Sequence, residues 1–140
     1  MSEFDVSVPD DVVTNYTSVA LRNTYNYYTT FRLGSTTILM NVRHNPRNKR
    51  REISLETVDG DVLLSNTFLS YGRRCELNFN AQLNGLNYYV TLKPKNESQT
   101  FDSSFDYIDW ADYFTLCFVG FDYSLTERML RNYRIILVGN

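Results

Sequence analysis

The residue best suited to catalysis in this chain is its single histidine. His44 lies in an arginine-rich segment beside Pro46. Positive neighbours disfavour the charged form of an imidazole, which would suit a general base. No serine or cysteine can be assigned to His44 as a nucleophile from the sequence, so we interpret it as a loop residue.

A group of aspartates is the second candidate for chemistry. The group consists of Asp102, Asp106, Asp109, Asp112 and Asp122. A glycosidase needs two facing carboxylates at a set separation, and a calcium site needs closely spaced oxygens around a tight turn. Here aromatic residues alternate with the acids. This pattern favours an aromatic-anchored loop, or a short helical turn with a solvated acidic face, over a cation site or a catalytic pair.

A basic segment, residues 43–51, is the third candidate. It holds five of the 14 lysines and arginines, namely Arg43, Arg47, Lys49, Arg50 and Arg51. Such clusters can contact phosphate, but the net charge of -2 and the lack of a nucleic-acid motif argue against nucleic acid as the partner. We interpret the segment as a solvated hairpin tip. The alternative is a contact with an acidic partner surface, for which residues 102–122 of a neighbouring copy would be suitable.

The sequence contains no phosphate loop, dinucleotide glycine motif, metal-ligand cluster or nucleophile elbow. In a chain of 140 residues with one histidine, this predicts a protein that is not an enzyme and binds no cofactor or metal. No apolar run reaches the roughly 18 residues that a membrane span needs. Cys75 and Cys117 each lie in an apolar alternating run, which predicts buried, reduced thiols.

The elements that position these residues are predicted to be strands. Tyrosine and phenylalanine favour pleated, half-buried surfaces, and the chain is 15% aromatic. Short alternating runs are separated by turn signals at Gly34-Ser35 (type II′), Asp59-Gly60, Tyr71-Gly72 and Asn84-Gly85. We therefore predict an all-β, mainly antiparallel, single-domain fold, which is a β-sandwich or small barrel of about seven or eight strands.

The alternation also predicts which side chains form the core, because alternate residues of a strand point to the same face. The predicted core consists of Ile53, Leu55, Leu77, Phe79, Val90, Leu92, Leu116 and Ile135. A helical turn is predicted after Ser124, and an apolar strand over Arg134–Val138 ends the chain.

Residues 1–26 are polar and aperiodic, which predicts an extended N-terminal arm, with at most one short strand, preceding a sandwich or barrel domain over residues 27–140. Tyrosines in and beside this arm are costly to expose, so we expect the arm to become ordered on contact with a neighbour. The candidate interface residues of the whole chain are Tyr16, Tyr25, Tyr27, Arg47, Lys49, Arg50, Arg51, Tyr107, Trp110 and Tyr113.

The order of strands and turns resembles that of the small baseplate plug proteins of contractile-tailed bacteriophages. The matching stretches are Phe31–Val42, Ile53–Leu69 with its run Val58–Leu64, and Tyr107–Val138. Residues 1–26 and the basic loop have no counterpart. The resemblance implies a non-enzymatic protein of the virion tail or baseplate, made in the host cytoplasm. Its partners would be other virion structural proteins or copies of the chain itself.

The alternative function is a β-sandwich module that binds carbohydrate or peptide. In that case Tyr107, Trp110 and Tyr113 would form a stacking platform edged by the aspartates of the same segment. A small hydrolase that uses those aspartates is a third hypothesis. Exposed aromatics on several faces would favour an assembly protein, whereas a single concave cluster would favour the ligand-binding module.

Overall fold

Eight strands form two four-stranded antiparallel sheets in the computed structural model, which describes residues 13–78, 83 and 85–121, without the side chains of 13 and 14. The strands are β1 (Val13–Val19), β2 (Asn26–Leu33), β3 (Thr36–Asn45), β4 (Arg50–Thr57), β5 (Val62–Leu69), β6 (Arg74–Glu76), β7 (Asn87–Pro94) and β8 (Phe114–Phe121). The strand orders are β1-β8-β7-β6 and β2-β3-β4-β5. The prediction of an antiparallel β-sandwich is confirmed. The described strands do not close into a barrel.

The second sheet is a chain of hairpins whose turns match the sequence signals. Leu33 is paired with Thr36, so Gly34 and Ser35 form a two-residue loop. Gly34 has φ +61° while Ser35 has no positive φ, as a type II′ turn requires. Gly60 at the β4–β5 turn has φ +94°, a left-handed conformation that suits glycine.

Strand β5 carries an irregularity near its centre. Asn66 has a positive φ of 42°, and the β4–β5 register shifts near Leu55. The backbone N–H of Asn66 donates to Ser54 Oγ over 2.9 Å, so a side chain replaces the ladder bond at this bulge. The strand therefore continues through the irregularity to Leu69.

Strand β1 is the one short strand that the predicted arm of residues 1–26 allowed, and it joins this part of the chain to the first sheet. It pairs with β8 and is the outermost described strand of the first sheet, with Tyr16 opposite Val119 and Thr17 opposite Phe118. An edge strand has only one partner and packs few apolar side chains, so its polar sequence shows little alternating hydrophobicity. Residues 13–26 thus belong to the sandwich, and residues 1–12 lie outside the described residues.

The core lies between the two sheets. Phe31 of β2 meets Phe118 of β8 with their ring centroids 4.8 Å apart. Six predicted core residues are buried, namely Ile53, Leu55, Leu77, Val90, Leu92 and Leu116. The two cysteines are also free and buried, as predicted: Cys75 and Cys117. The other predictions for the core and the C-terminal segment lie outside the described residues: Phe79, Ile135, the turn after Ser124 and the final strand.

Candidate functional site

Arg51 is the centre of a buried polar cluster at one end of the sandwich. It lies in β4 opposite His44 of β3, its side chain is fully buried, and its guanidinium donates five hydrogen bonds to backbone carbonyls. Nε donates to Tyr107 (3.1 Å), Nη1 to Thr24 (2.6 Å) and Tyr25 (3.2 Å), and Nη2 to Asn23 (3.0 Å) and Ile108 (2.6 Å). We call Arg51, Trp110, His44 and the backbone of 22–25 and 107–108 the Arg51 junction.

The prediction that Arg51 is an interface residue is therefore wrong. The hairpin tip ends before Arg51, since β4 begins at Arg50. Alternation along β4 then directs the side chain of Arg51 inward, into the same layer as Ile53 and Leu55. Burying a charged guanidinium is costly unless its N–H groups are hydrogen-bonded. The acceptors that offset this cost lie 26 to 57 positions away along the chain, so no local sequence pattern reveals them.

Trp110 is also part of the junction and is not an exposed anchor. A 3₁₀ turn (Tyr107–Asp109) leads into a one-turn helix, α1 (Trp110–Tyr113), which places Trp110 in the core with no exposed surface. Its Nε1 donates to the Arg22 carbonyl over 2.7 Å, and the Arg51 guanidinium lies 5.2 Å from its ring centroid. The predicted exposure of Trp110 is wrong because both the ring and its polar atom have partners within the chain.

The rest of the predicted stacking platform is enclosed in the same way. Tyr107 is 4% exposed, and its hydroxyl accepts a hydrogen bond from the Tyr71 N–H over 2.8 Å. Tyr113 is half-buried against Phe101 and Phe105. Tyr27, which was also predicted to be an interface residue, is 7% exposed and lies in the main core. The segment 105–113 is thus a core element and cannot form a platform for a ligand.

The acidic side of this segment is solvated, as predicted for a short helical turn. The four described aspartates are exposed, and two of them cap turns. Asp106 accepts from the Ile108 N–H over 3.0 Å. Asp102 accepts from the N–H and hydroxyl of Ser104, and these two hydrogen bonds lower the pKa of its carboxyl group. The aspartates therefore shape the loop.

His44 is a buried strand residue and not the loop residue that we predicted. Its Nε2 lies 3.7 Å from the Asp106 carboxylate, and its ring meets the Tyr25 ring edge-on at 5.1 Å. Burial, and then the charge of Arg51, lower the pKa of His44, while Asp106 partly opposes them. Its Nδ1, the atom left for a nucleophile or substrate, is buried without a hydrogen-bond partner. The lowered pKa favours the neutral imidazole that a general base needs, but the buried Nδ1 of His44 has no access to a reacting group.

The basic tip between β3 and β4 is solvated, as predicted. Arg47 and Lys49 are exposed and Arg50 is half-buried. The tip adjoins the acidic segment of its own chain, because the Tyr107 N–H donates to the Lys49 carbonyl over 2.9 Å. The basic and acidic surfaces that the sequence suggested would meet between copies are therefore neighbours within one molecule.

One concave surface was missed in the sequence. The outward side of β2–β5 carries a shallow pocket of about 640 Å³, and we call this surface the open face. Tyr28, which is 78% exposed, lies opposite Asn41, and Asn41 lies opposite Ser54. The alternation of buried Tyr27 with Tyr28 is the only sequence signal for this arrangement, and it predicts which tyrosine points outward.

Across the described ranges, no group of three or more histidine, cysteine, aspartate or glutamate side chains could hold a metal ion. In the same residues, no helix is long and apolar enough to cross a membrane. Comparisons with protein-family models, curated proteins and solved structures found no match. The resemblance to baseplate plug proteins thus rests on the sequence pattern alone.

Proposed function

We propose that this chain is a non-enzymatic structural virion protein, a phage tail or baseplate component that acts through contacts with other proteins. The observation that carries the proposal is the spread of exposed tyrosines over several faces. Tyr16 is 51% exposed on β1, Tyr25 is 52% exposed beside the Arg51 junction, and Tyr28 is 78% exposed on the opposite sheet. A protein fixed among several neighbours needs anchors on more than one side.

Tyr16 illustrates how such an anchor is presented. It stands opposite Val119 on the side of the first sheet that faces away from the main core, where Tyr89, Val119 and Phe121 form a second apolar cluster. Its hydroxyl donates to Cys117 Sγ over 3.1 Å, and this hydrogen bond is the largest cause of the raised pKa of Tyr16. A tyrosine held in place loses little conformational freedom when a partner covers it, which favours binding.

Tyr25 provides a second anchor at the end of the sandwich. Its carbonyl accepts from the Arg51 guanidinium and from the His44 N–H, so its backbone is fixed while half of its side chain stays in solvent. Tyrosine is enriched at interfaces because its ring supplies apolar area and its hydroxyl supplies a hydrogen bond. A partner that docks at this end of the sandwich would find an aromatic anchor in Tyr25 and positive charges in the exposed basic tip.

The non-enzymatic part of the proposal is supported by the two candidate groups. The imidazole of His44 is enclosed, and its Nδ1 is not available to a substrate. Of the exposed aspartates, Asp102 and Asp106 cap turns, and Asp112 accepts a hydrogen bond from the Asn23 amide. Neither group has the paired, partly enclosed geometry that acid–base chemistry uses.

The test is incorporation into tail particles. A tagged chain expressed during infection is expected to sediment with purified tails, and cross-linking should join Lys49 to other tail proteins. A double variant, Tyr16→Ser with Tyr25→Ser, should reduce incorporation at least ten-fold, since buried tyrosines at interfaces contribute about 1–2 kcal/mol or more each.

The matched control is Tyr16→Phe with Tyr25→Phe, which keeps the apolar area and should be incorporated at near-normal levels. Normal incorporation of the serine variant would place the interface elsewhere. A chain that is absent from all particles and stays monomeric without partners would overturn the proposal.

A binding module is the second candidate, and one observation favours it. The platform first considered for it, Tyr107, Trp110 and Tyr113, is enclosed in the core. The open face instead provides a concave surface with an exposed aromatic ring.

A further inference from the structure

The open face combines an apolar floor with an exposed ring. In one row across the sheet, Thr30 lies opposite Leu39, which lies opposite Glu56 and then Val62. In the adjoining row, Tyr28 lies opposite Asn41 and Ser54. The side chains of both rows line the pocket, whose volume of about 640 Å³ falls within the range of small-molecule sites, about 300–1,000 Å³.

Hydrogen-bonding groups on this face differ in whether they are already engaged. Ser54 Oγ is paired with Asn66 at the bulge. The Thr30 hydroxyl, the Asn41 amide and the Glu56 carboxylate have no hydrogen-bond partner among the described residues. An amide, a hydroxyl and a carboxylate beside an apolar floor can donate and accept several hydrogen bonds to one ligand.

The backbone of the two central strands of the face, by contrast, is committed. Strands β3 and β4 are paired on both sides, so their N–H and C=O groups take part in the sheet ladders. An extended peptide lying across these two strands would find few main-chain partners for its own amide groups, and leaving such groups unpaired is costly. The face is therefore better suited to a ligand that bonds through hydroxyl groups and presents a C–H surface.

A pyranose ring has these properties. Its C–H face can pack on an aromatic ring, and its equatorial hydroxyls can reach amide and carboxylate groups at the edge of the floor. Among the described residues that line the pocket, Glu56 is the only charged one. A carboxylate there accepts hydroxyl hydrogen bonds and repels the carboxylates or sulfates of acidic sugars.

We propose that the open face binds a neutral saccharide, which stacks on Tyr28 and hydrogen-bonds to Asn41 and Glu56. This binding site uses Tyr28 and leaves Tyr16 and Tyr25 as the assembly anchors, so saccharide binding does not depend on assembly. Tyr28 supplies most of the binding energy, and Asn41 and Glu56 set which hydroxyl arrangement is accepted. The occupied region extends from β2 to β5 across Leu39 and Val62.

The experiment is a titration of the isotope-labelled full chain with oligosaccharides, followed by amide chemical shifts. The probes are neutral tri- and tetrasaccharides of glucose, galactose, mannose and N-acetylglucosamine, with sialylated and sulfated counterparts. At least one neutral probe should shift amides of β2–β5 on the open face, and the acidic counterparts should bind at least ten-fold more weakly.

Variants then test the named contacts. Tyr28→Ala should weaken binding at least ten-fold, and Asn41→Ala at least three-fold. Tyr25→Ala is the matched control, because it removes an exposed tyrosine outside the pocket, and it should leave the affinity unchanged. Tyr28 is 78% exposed, so its variant is expected to melt at nearly the wild-type temperature.

Three results would overturn the site. The first is that no neutral probe at about 10 mM shifts an amide of the open face, because a Kd weaker than this is not specific binding. The second is that Tyr28→Ala binds as tightly as the wild type, and the third is that the face binds an extended peptide and no sugar. Saccharide binding is measured on the isolated chain and incorporation on tail particles, with different variants. Failure of the site is therefore distinguishable from failure of the assembly proposal.

Discussion

The Arg51 junction and the open face both contain polar and aromatic side chains, but these are buried and hydrogen-bonded at the junction and exposed to solvent on the open face. At the junction, Arg51 and Trp110 are fully buried, and the polar hydrogens of both are donated to carbonyls of the same chain. On the open face, the Tyr28 ring is 78% exposed and the Asn41 amide has no hydrogen-bond partner among the residues that the structure describes. The difference shows that polar and aromatic residues stabilise the fold where they satisfy one another, and become available to ligands where they do not.

The largest expected effect is at Trp110. Trp110→Ala should reduce the free energy of unfolding by about 3–5 kcal/mol, because it leaves a cavity and releases the Arg22 carbonyl. Tyr28→Ala, the corresponding change on the open face, should cost less than about 0.5 kcal/mol. Chemical denaturation of both variants checks the contrast. Similar losses at the two positions would show that the junction and the open face do not differ in this way.

Arg51 should come next. Arg51→Met keeps much of the side-chain volume but removes the donors of five carbonyls, and we expect a loss of about 3 kcal/mol. Its neighbour Arg50→Met is the control and should change stability by less than about 0.5 kcal/mol. Denaturant midpoints at constant m-value give both numbers. A loss below about 1 kcal/mol for Arg51→Met would mean that water replaces the guanidinium at no great cost.

His44 should make the stability of the junction depend on pH. Burial lowers its pKa in the folded protein, so the unfolded imidazole binds a proton more readily. Its contribution to stability is therefore complete above the unfolded pKa of about 6.5 and is lost as the pH falls through the lowered folded pKa. Melting temperatures from pH 8 to pH 5 should fall in the wild type and fall less in His44→Gln. Equal slopes for the two proteins would exclude His44 as the cause.

The smallest effect is expected at the basic tip. Replacing Arg47, Lys49 and Arg50 with serine should leave the free energy of unfolding within about 0.5 kcal/mol, since exposed charges contribute little. If the tip contacts an acidic partner, the triple variant should associate more weakly at low salt than the wild type and about equally at high salt. Unfolding of this variant would instead show that the tip is structural.

What the sequence predicted well was local in the chain. The hairpins at Gly34-Ser35 and Asp59-Gly60 are specified by two residues and the alternation on either side, and both formed as predicted. The burial of Leu116 also followed from alternation alone. These features require no knowledge of which strand lies opposite.

What failed depended on partners far away in the chain. Arg51 looked like part of a solvated charge cluster because its carbonyl acceptors are up to 57 positions distant. Trp110 looked like an exposed anchor among acids, although its hydrogen-bond acceptor is 88 positions away. The open face was missed because a pocket on a sheet exists only after four strands are aligned in register.

The pairing of β1 with β8 has a consequence for synthesis on the ribosome. Tyr16 and Cys117 are 101 positions apart, whereas β2 to β5 pair with their neighbours in sequence. At roughly 5–20 residues per second, β1 waits on the order of 5–20 s for its partner after it has emerged. The hairpin sheet can begin to form during this interval, while the β1 edge remains unpaired. Of the eight described strands, β1 is made first and is among the last to be paired, and during this wait a nascent chain is most open to aggregation or to capture by a neighbour.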